Sequence, residues 1–88
     1  MDYAVIFTYS FDDECSVFLF NTFDEAMTFI KDSYQEELRI DIEENGWDSY
    51  GTINEESGIA EIFTRFADHE DTTTMRIGFV HCKSKKLN

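Results

Sequence analysis

Two groups of residues in this chain have side chains that could do chemistry. Cys15 and His81 would form a thiol-imidazole pair, of the kind that performs nucleophilic catalysis, if the fold brought them together. The run Asp68-His69-Glu70-Asp71 offers four potential metal ligands. A tight turn cannot direct four consecutive side chains at one ion, and this spacing is not that of a calcium loop. We therefore predict a packed Cys15, a solvated turn at 68–71, no metal site and no cofactor.

Adjacent carboxylates are a third feature that resembles an active site. These pairs are Glu36-Glu37, Glu43-Glu44 and Glu55-Glu56. Neighbouring residues of a helix point about 100° apart, so such pairs do not face each other as the two carboxylates of a glycosidase do. The four glycines are scattered and make no phosphate-binding loop. The sequence therefore predicts no catalytic residues and a protein that is not an enzyme.

Negative charge is the most unusual property of the chain. It has 19 acidic and 7 basic residues, a net charge of −12. Three of the lysines follow residue 82, so residues 1–82 carry 19 acidic and 4 basic groups, a net charge of −15. This charge opposes binding to nucleic acid or to an anionic membrane and favours a basic protein surface as partner. Solubility is the ordinary alternative explanation of an acidic surface.

One long helix, from Thr22 to Gly46, is predicted to organise the fold. Thr22 can cap its first turn, and Asn45-Gly46 can end it. Apolar residues at intervals of three or four predict the face that packs on the core: Phe23, Ala26, Met27, Ile30, Tyr34, Leu38 and Ile42. The other faces are acidic, and we predict that they bind the partner through Asp32, Glu36, Glu37, Asp41, Glu43 and Glu44.

Trp47 follows the predicted helix and has two interpretations. The favoured one is that its ring closes the hydrophobic core at the end of the helix. If the ring is exposed instead, it can anchor a partner interface, where tryptophan is enriched. We therefore include Trp47 and the neighbouring Asp48 among the candidate partner-binding residues.

Runs rich in β-branched and aromatic residues, several of them with a period of two, predict five strands, at 3–10, 15–20, 47–53, 59–66 and 72–81. The first two form a hairpin with a turn at 11–14, and the first strand lies inside the sheet because both its faces are apolar. The order β-β-α-β-β-β predicts an α+β two-layer sandwich, one long helix on a four- to five-stranded antiparallel sheet. We expect a single domain over residues 1–82 and a flexible basic tail over 83–88.

The location of the protein is predicted from what the sequence lacks. Its beginning has no basic segment followed by an apolar one, as a signal peptide would, and no apolar run approaches the roughly 20 residues of a membrane helix. The two cysteines, Cys15 and Cys82, suggest neither a metal-binding pair nor a disulfide framework. We predict a cytoplasmic protein with free thiols.

Three segments resemble known sequences: YAVIFTYSFD, EELRIDIEENGWDSY and FADHEDTTTMRIG. They resemble short uncharacterised acidic proteins of Firmicutes and their mobile elements. The size, acidity and helix-on-sheet order are similar to those of phage anti-CRISPR proteins that mimic DNA. This resemblance implies an inhibitor that blocks the basic nucleic-acid-binding groove of a Cas nuclease in the host cytoplasm. The alternative is a small bacterial regulatory or interaction domain, including a homodimer.

Overall fold

The structure is a computed structural model that describes residues 2–80. Its elements are strands β1 (Tyr3–Tyr9) and β2 (Asp12–Phe20), helix α1 (Phe23–Arg39) with a π-helical turn (Ile40–Glu44), and strands β3 (Asp48–Asn54), β4 (Ile59–Arg65) and β5 (Glu70–Phe79). The strands form one antiparallel sheet in the order β2-β1-β5-β4-β3. The predicted element order and α+β class are confirmed. The predicted tail, 83–88, lies outside the described residues.

The core lies between α1 and one face of the sheet. Ala26, Met27 and Ile30 of the helix are buried in one cluster with Val5 of β1 and Met75 of β5. As predicted, β1 lies inside the sheet, paired with β2 on one side and β5 on the other. A helix and a sheet that are each apolar on one face are thereby both covered.

The turn between β1 and β2 is shorter than predicted. The expected turn at 11–14 would start β2 at Cys15, whereas β2 begins at Asp12, which pairs with Tyr9. The pairing register shifts between Phe7 and Tyr9, as at a β-bulge. Strand pairing therefore continues into the acidic residues, which remain exposed because β2 is at the edge of the sheet.

Both ends of the helical segment follow the predicted signals. The Thr22 hydroxyl accepts a hydrogen bond from the Glu25 amide at 3.1 Å and so caps the first turn. Gly46 has a φ of 68°, a left-handed conformation that suits glycine and redirects the chain into β3. No helix in residues 2–80 has both the length and the apolar character needed to cross a membrane.

The final turn of the helical segment departs from the prediction. The Asn45 amide donates to the Ile40 carbonyl, five residues earlier, at 2.9 Å, so the turn is π-helical and wider than an α-helical one. Ile42, predicted to belong to the core, is 47% exposed. Asp41, the residue before it, is half-buried instead. It follows Phe23 by 18 residues, which is five turns of about 3.6 residues, so helical periodicity places Asp41 and not Ile42 in line with the start of the apolar stripe.

Candidate functional site: an acidic helix surface and an acidic-aromatic pocket

Three of the predicted partner-binding carboxylates meet at Arg39. Glu36 accepts two hydrogen bonds from it, from Nε to Oε1 at 3.1 Å and from Nη2 to Oε2 at 2.7 Å. The same Nη2 donates to Glu44 Oε2 at 2.9 Å, and Glu43 lies 3.9 Å from Nη1. The hydrogen bond from Arg39 lowers the pKa of the Glu36 carboxyl. One guanidinium therefore stabilises a group of three exposed carboxylates without neutralising it.

The remaining predicted residues do not all join this group. Asp32 is exposed about one helical turn before Glu36. Asp48 begins β3, and its Oδ2 lies 3.6 Å from Nε of Arg65. Strand alternation places Asp48 on the face of the sheet opposite the side chain of Ser49, which points toward the helix. We call the exposed carboxylates of the helical segment from Asp32 onward the helix acidic surface, made of Asp32, Glu36, Glu43 and Glu44.

Glu37 and Asp41 turn away from that surface and line a cavity of about 280 Å³. The cavity lies where the helical segment leaves the sheet, between its last turns and the ends of β1, β4 and β5. We call it the acidic-aromatic pocket, and its lining residues are Tyr9, Phe11, Glu37, Asp41, Trp47, Thr64, Phe66, Asp71 and Thr73. The predicted row of acids is thus divided between a surface and a pocket.

Asp41 is held in place by two hydroxyl groups. Thr64 Oγ1 donates to Asp41 Oδ2 at 3.4 Å, and Ser49 Oγ lies 3.5 Å from the same oxygen. The two hydroxyls are 2.7 Å apart, so one can donate to the other while the second donates to the carboxylate. Burial raises the pKa of Asp41, and the hydrogen bonds from Thr64 and Ser49 oppose that rise. The network satisfies the buried Thr64 hydroxyl and fixes the carboxylate toward the pocket.

Among the described residues, Glu37 has no hydrogen-bond donor comparable to the Thr64 and Ser49 hydroxyls beside Asp41. Burial raises the pKa of its carboxyl, and the nearby charges of Asp41 and Glu36 raise it further. No salt bridge in the described part of the chain reaches Glu37 or Asp41. The pocket therefore concentrates partly buried negative charge that the described residues leave without a cation.

Trp47 lies at this pocket and not over the core, so the favoured interpretation of its role is wrong. Its side chain is 44% exposed, and its ring meets Phe66 edge-on with centroids 5.5 Å apart. The Trp47 amide donates to the Asp41 carbonyl at 2.8 Å, which fixes the residue beside the π-helical turn. A second aromatic pair in the lining, Tyr9 and Phe11, has centroids 5.4 Å apart.

The run 68–71 forms a turn beside the pocket, as predicted, although β5 already begins at Glu70. His69 Nδ1 lies 2.6 Å from Asp68 Oδ1, and its Nε2 lies 3.6 Å from Asp71 Oδ1. The hydrogen bond with Asp68 raises the pKa of His69, and its ring stacks on Phe66 at 4.8 Å. In residues 2–80 no three His, Cys, Asp or Glu residues are arranged to hold a metal ion.

The candidate thiol-imidazole pair cannot be placed as a pair. Cys15 is an exposed residue of β2, not the packed residue that we predicted, because β2 is an edge strand. His81 and Cys82 lie outside the described residues.

Most of the pocket lining was not predicted from the sequence. The missed residues are Tyr9, Phe11, Thr64, Phe66, Asp71 and Thr73. Strand pairing brings them together, since Tyr9 pairs with Thr73 and Thr64 pairs with Asp71. The alternation of residues within each strand shows which of them share a face, but only the strand order shows which become neighbours.

No known protein family, curated protein or solved structure matches this chain. Its function is therefore inferred from its own residues and their geometry.

Proposed function

We propose that this chain is a non-enzymatic binding protein that places its helix acidic surface in a basic nucleic-acid-binding groove of another protein. In this proposal it is an inhibitor of the anti-CRISPR type, and its target is a host defence nuclease such as a Cas nuclease. The observation that carries the proposal is the group of four exposed carboxylates, Asp32, Glu36, Glu43 and Glu44, of which the last three share the cation Arg39.

The geometry of this surface supports a role in electrostatic recognition. From Asp32 to Glu44 the carboxylates extend over roughly 18 Å of one helical segment, given a rise of about 1.5 Å per residue. Arg39 limits the mutual repulsion of three of them and orients their oxygens. A negative track on a rigid element suits a groove that has evolved to hold phosphates, and it gives fast, salt-sensitive association.

The test is competition between this chain and DNA for RNA-guided Cas nucleases of Firmicute hosts, measured by gel shift and DNA cleavage. The decisive variant is Asp32→Lys/Glu43→Lys/Glu44→Lys, which keeps the bidentate Arg39–Glu36 pair. The control, Asp13→Lys/Glu14→Lys/Glu56→Lys, makes the same change in net charge at exposed positions away from the helix.

We expect the wild-type chain and the control to block DNA binding, and the helix variant to lose at least about tenfold in potency. That loss corresponds to about 1.4 kcal/mol, which is modest for three reversed charges at an interface. Equal loss in both variants would show that net charge alone acts. Equal potency in both variants would place the interface elsewhere.

Self-association is a second candidate function, favoured by the exposed edge strand β2. Val17 is 54% exposed and Leu19 is 50% exposed, and Phe18 projects from the other face of the same strand. Native edge strands are usually protected by charges, and residues 15–20 have none of the lysines or acids that would do so. Antiparallel pairing of two β2 strands about Phe18 would place Val17 opposite Leu19 and keep the acidic residues 12–14 outside the contact.

Sedimentation velocity of the wild-type chain and of Val17→Lys tests this candidate. A dimer that the substitution converts to a monomer would support edge pairing through β2. A wild-type chain that stays monomeric at high micromolar concentration would exclude self-association as a function.

A further inference from the structure

The acidic-aromatic pocket has two kinds of wall, and both attract cations. Trp47, Phe66, Tyr9 and Phe11 supply aromatic rings, whose faces are electron-rich and hold guanidinium or ammonium groups. The carboxylates of Glu37, Asp41 and Asp71 line the same cavity. A site with aromatic rings beside carboxylates can bind a cation that also has an apolar or planar part, since the rings contact that part and the carboxylates pair with the charge.

The carboxylates of this pocket lack the basic counter-charge that Arg39 provides on the helix acidic surface. Arg39 serves three carboxylates outside, but no lysine or arginine is among the described residues that line the cavity. His69 comes within 3.6 Å of Asp71 from the rim and reaches neither Glu37 nor Asp41 through a salt bridge. A cation that enters from outside would provide the missing counter-charge.

The dimensions of the cavity indicate the size of that cation. A volume of about 280 Å³ lies just below the range of roughly 300–1,000 Å³ that is typical of pockets for whole small molecules. Thr64, which is 4% exposed, is buried among the lining residues, and the Ser49 and Thr64 hydroxyls hold the Asp41 carboxylate in a fixed orientation. One extended side chain with its charged end fits a recess of this size.

We propose that the acidic-aromatic pocket binds the guanidinium group of an arginine side chain presented by a partner protein. Arginine is favoured over lysine because its planar group stacks on aromatic faces and forms paired hydrogen bonds with carboxylates. The identification of the partner as a basic protein rests on the proposed function. The affinity of the pocket for guanidinium does not, and it can be measured without that partner.

Small-molecule titration tests the pocket directly. The probes are Nα-acetyl-arginine amide, its uncharged isostere Nα-acetyl-citrulline amide, and Nα-acetyl-lysine amide, at low ionic strength. Trp47 is the only tryptophan of the chain, so its fluorescence and its indole NMR signal report on this cavity. We expect the arginine probe to bind with a dissociation constant of about 1 mM and at least about tenfold more tightly than the citrulline probe.

Matched variants separate the pocket from the general acidity of the chain. Glu37→Gln/Asp41→Asn removes two pocket charges, and Asp32→Asn/Glu43→Gln removes two charges from the helix acidic surface. We expect the first variant to weaken arginine binding about tenfold and the second to weaken it by less than about threefold, since exposed charges are screened. The aromatic variant Phe66→Leu should also weaken binding while leaving every charge in place.

Three results would overturn the assignment: citrulline binding as tightly as arginine, lysine binding more tightly than arginine, or equal losses in the two charge variants. None of them bears on nuclease inhibition, which is tested by the lysine variants of the helix acidic surface. Conversely, a pocket that binds arginine in a chain that inhibits no nuclease would refute the proposed function alone.

Discussion

The two halves of the long helix are made of the same kinds of residue but face different surroundings. In the first half, Ala26, Met27 and Ile30 are buried, and Phe29 packs against Phe18 with ring centroids 4.9 Å apart. In the π-helical turn that ends the second half no residue is buried. There the inward positions are partly occupied by the carboxylates of the acidic-aromatic pocket.

The first half of the helix contributes to stability, and the second half carries the residues of the proposed binding sites. Apolar burial in the first half attaches the helix to the sheet, since each large side chain removed from water contributes about 1.5–3 kcal/mol. The second half keeps partly buried charges that burial makes unfavourable. Such charges cost stability, and the proposed binding of a cationic side chain in the pocket would be a reason to retain them.

The largest effect is expected at Ile30, the largest of the fully buried residues of the first half. Ile30→Asp places a charge in the apolar cluster and should cost at least about 4 kcal/mol, which approaches the lower end of the roughly 5–15 kcal/mol that stabilises a domain. Circular dichroism should show an unfolded chain at 25 °C. The control Thr28→Asp, exposed on the same helix, should remain folded. A folded Ile30→Asp protein would contradict the position of the core.

The second-largest loss of stability is expected for a substitution at Gly51 of β3, which lies against Tyr34 where the two halves of the helix join. A Cβ at Gly51 of β3 would lie 2.6 Å from the Tyr34 hydroxyl oxygen and 2.9 Å from the Glu61 carbonyl oxygen. Gly51→Ala should therefore lower the free energy of unfolding by about 1–3 kcal/mol in urea titrations. In the control Gly78→Ala the nearest atom would be 3.7 Å away, so its stability should be unchanged or slightly higher.

A smaller change, an increase in stability, is expected when Glu37 is replaced. Because its pKa is raised in the folded state, stability falls as the pH rises from the usual carboxyl range through that raised pKa. Glu37→Gln should therefore stabilise the protein at pH 7, by about 0.5 kcal/mol or 2–4 °C in Tm, as expected for one relieved like-charge pair. The gain should disappear near pH 3, where the wild-type carboxyl is also neutral.

The adjacent Glu36 gives the matched test. Its pKa is lowered by Arg39, so its contribution is present above the usual carboxyl pKa and is lost as the pH falls through the lowered pKa. Glu36→Gln should lower Tm at pH 7. Shifts of the same sign in both variants would show that net charge, and not the location of each carboxylate, determines stability.

The smallest effect is expected at the rim of the pocket. The Asp68 carboxylate raises the pKa of His69, so their pairing stabilises the fold below the usual histidine pKa and is lost as the pH rises through the raised value. NMR titration of the His69 ring should give a pKa above its usual range, and Asp68→Asn should return it toward that range. Asp71→Asn, whose oxygen is farther away at 3.6 Å, should change it less.

The sequence predicted the fold well because its signals are local and repetitive. Alternation within the strands, the Thr22 cap and the turn at Gly46 each depend on a few neighbouring residues, and all three agree with the structure. The predictions that failed depend on the packing of one element against the rest, as for Cys15, which was expected to be packed but lies exposed in the edge strand β2. Ile42 was assigned to the core from helical periodicity and Trp47 from its position just after the helix, and both side chains are exposed.

The candidate site was predicted only in part for a different reason. Its acidic residues are close in sequence, so their periodicity identified them as a set. Their division between surface and pocket depends on Arg39 and on Thr64, which the charge pattern does not reveal. The aromatic walls come from three separate parts of the chain, and only the strand order brings them together.

The π-helical turn at Ile40–Glu44 closes its ring with one residue more than an α-helical turn requires. We expect the deletion of one residue there to move Asp41 and Trp47 together, because the Trp47 amide donates to the Asp41 carbonyl. The sheet and the apolar half of the helix would keep their sequence. If the acidic-aromatic pocket binds as proposed, a change of one residue in this turn would alter the binding site while leaving the residues of the core unchanged.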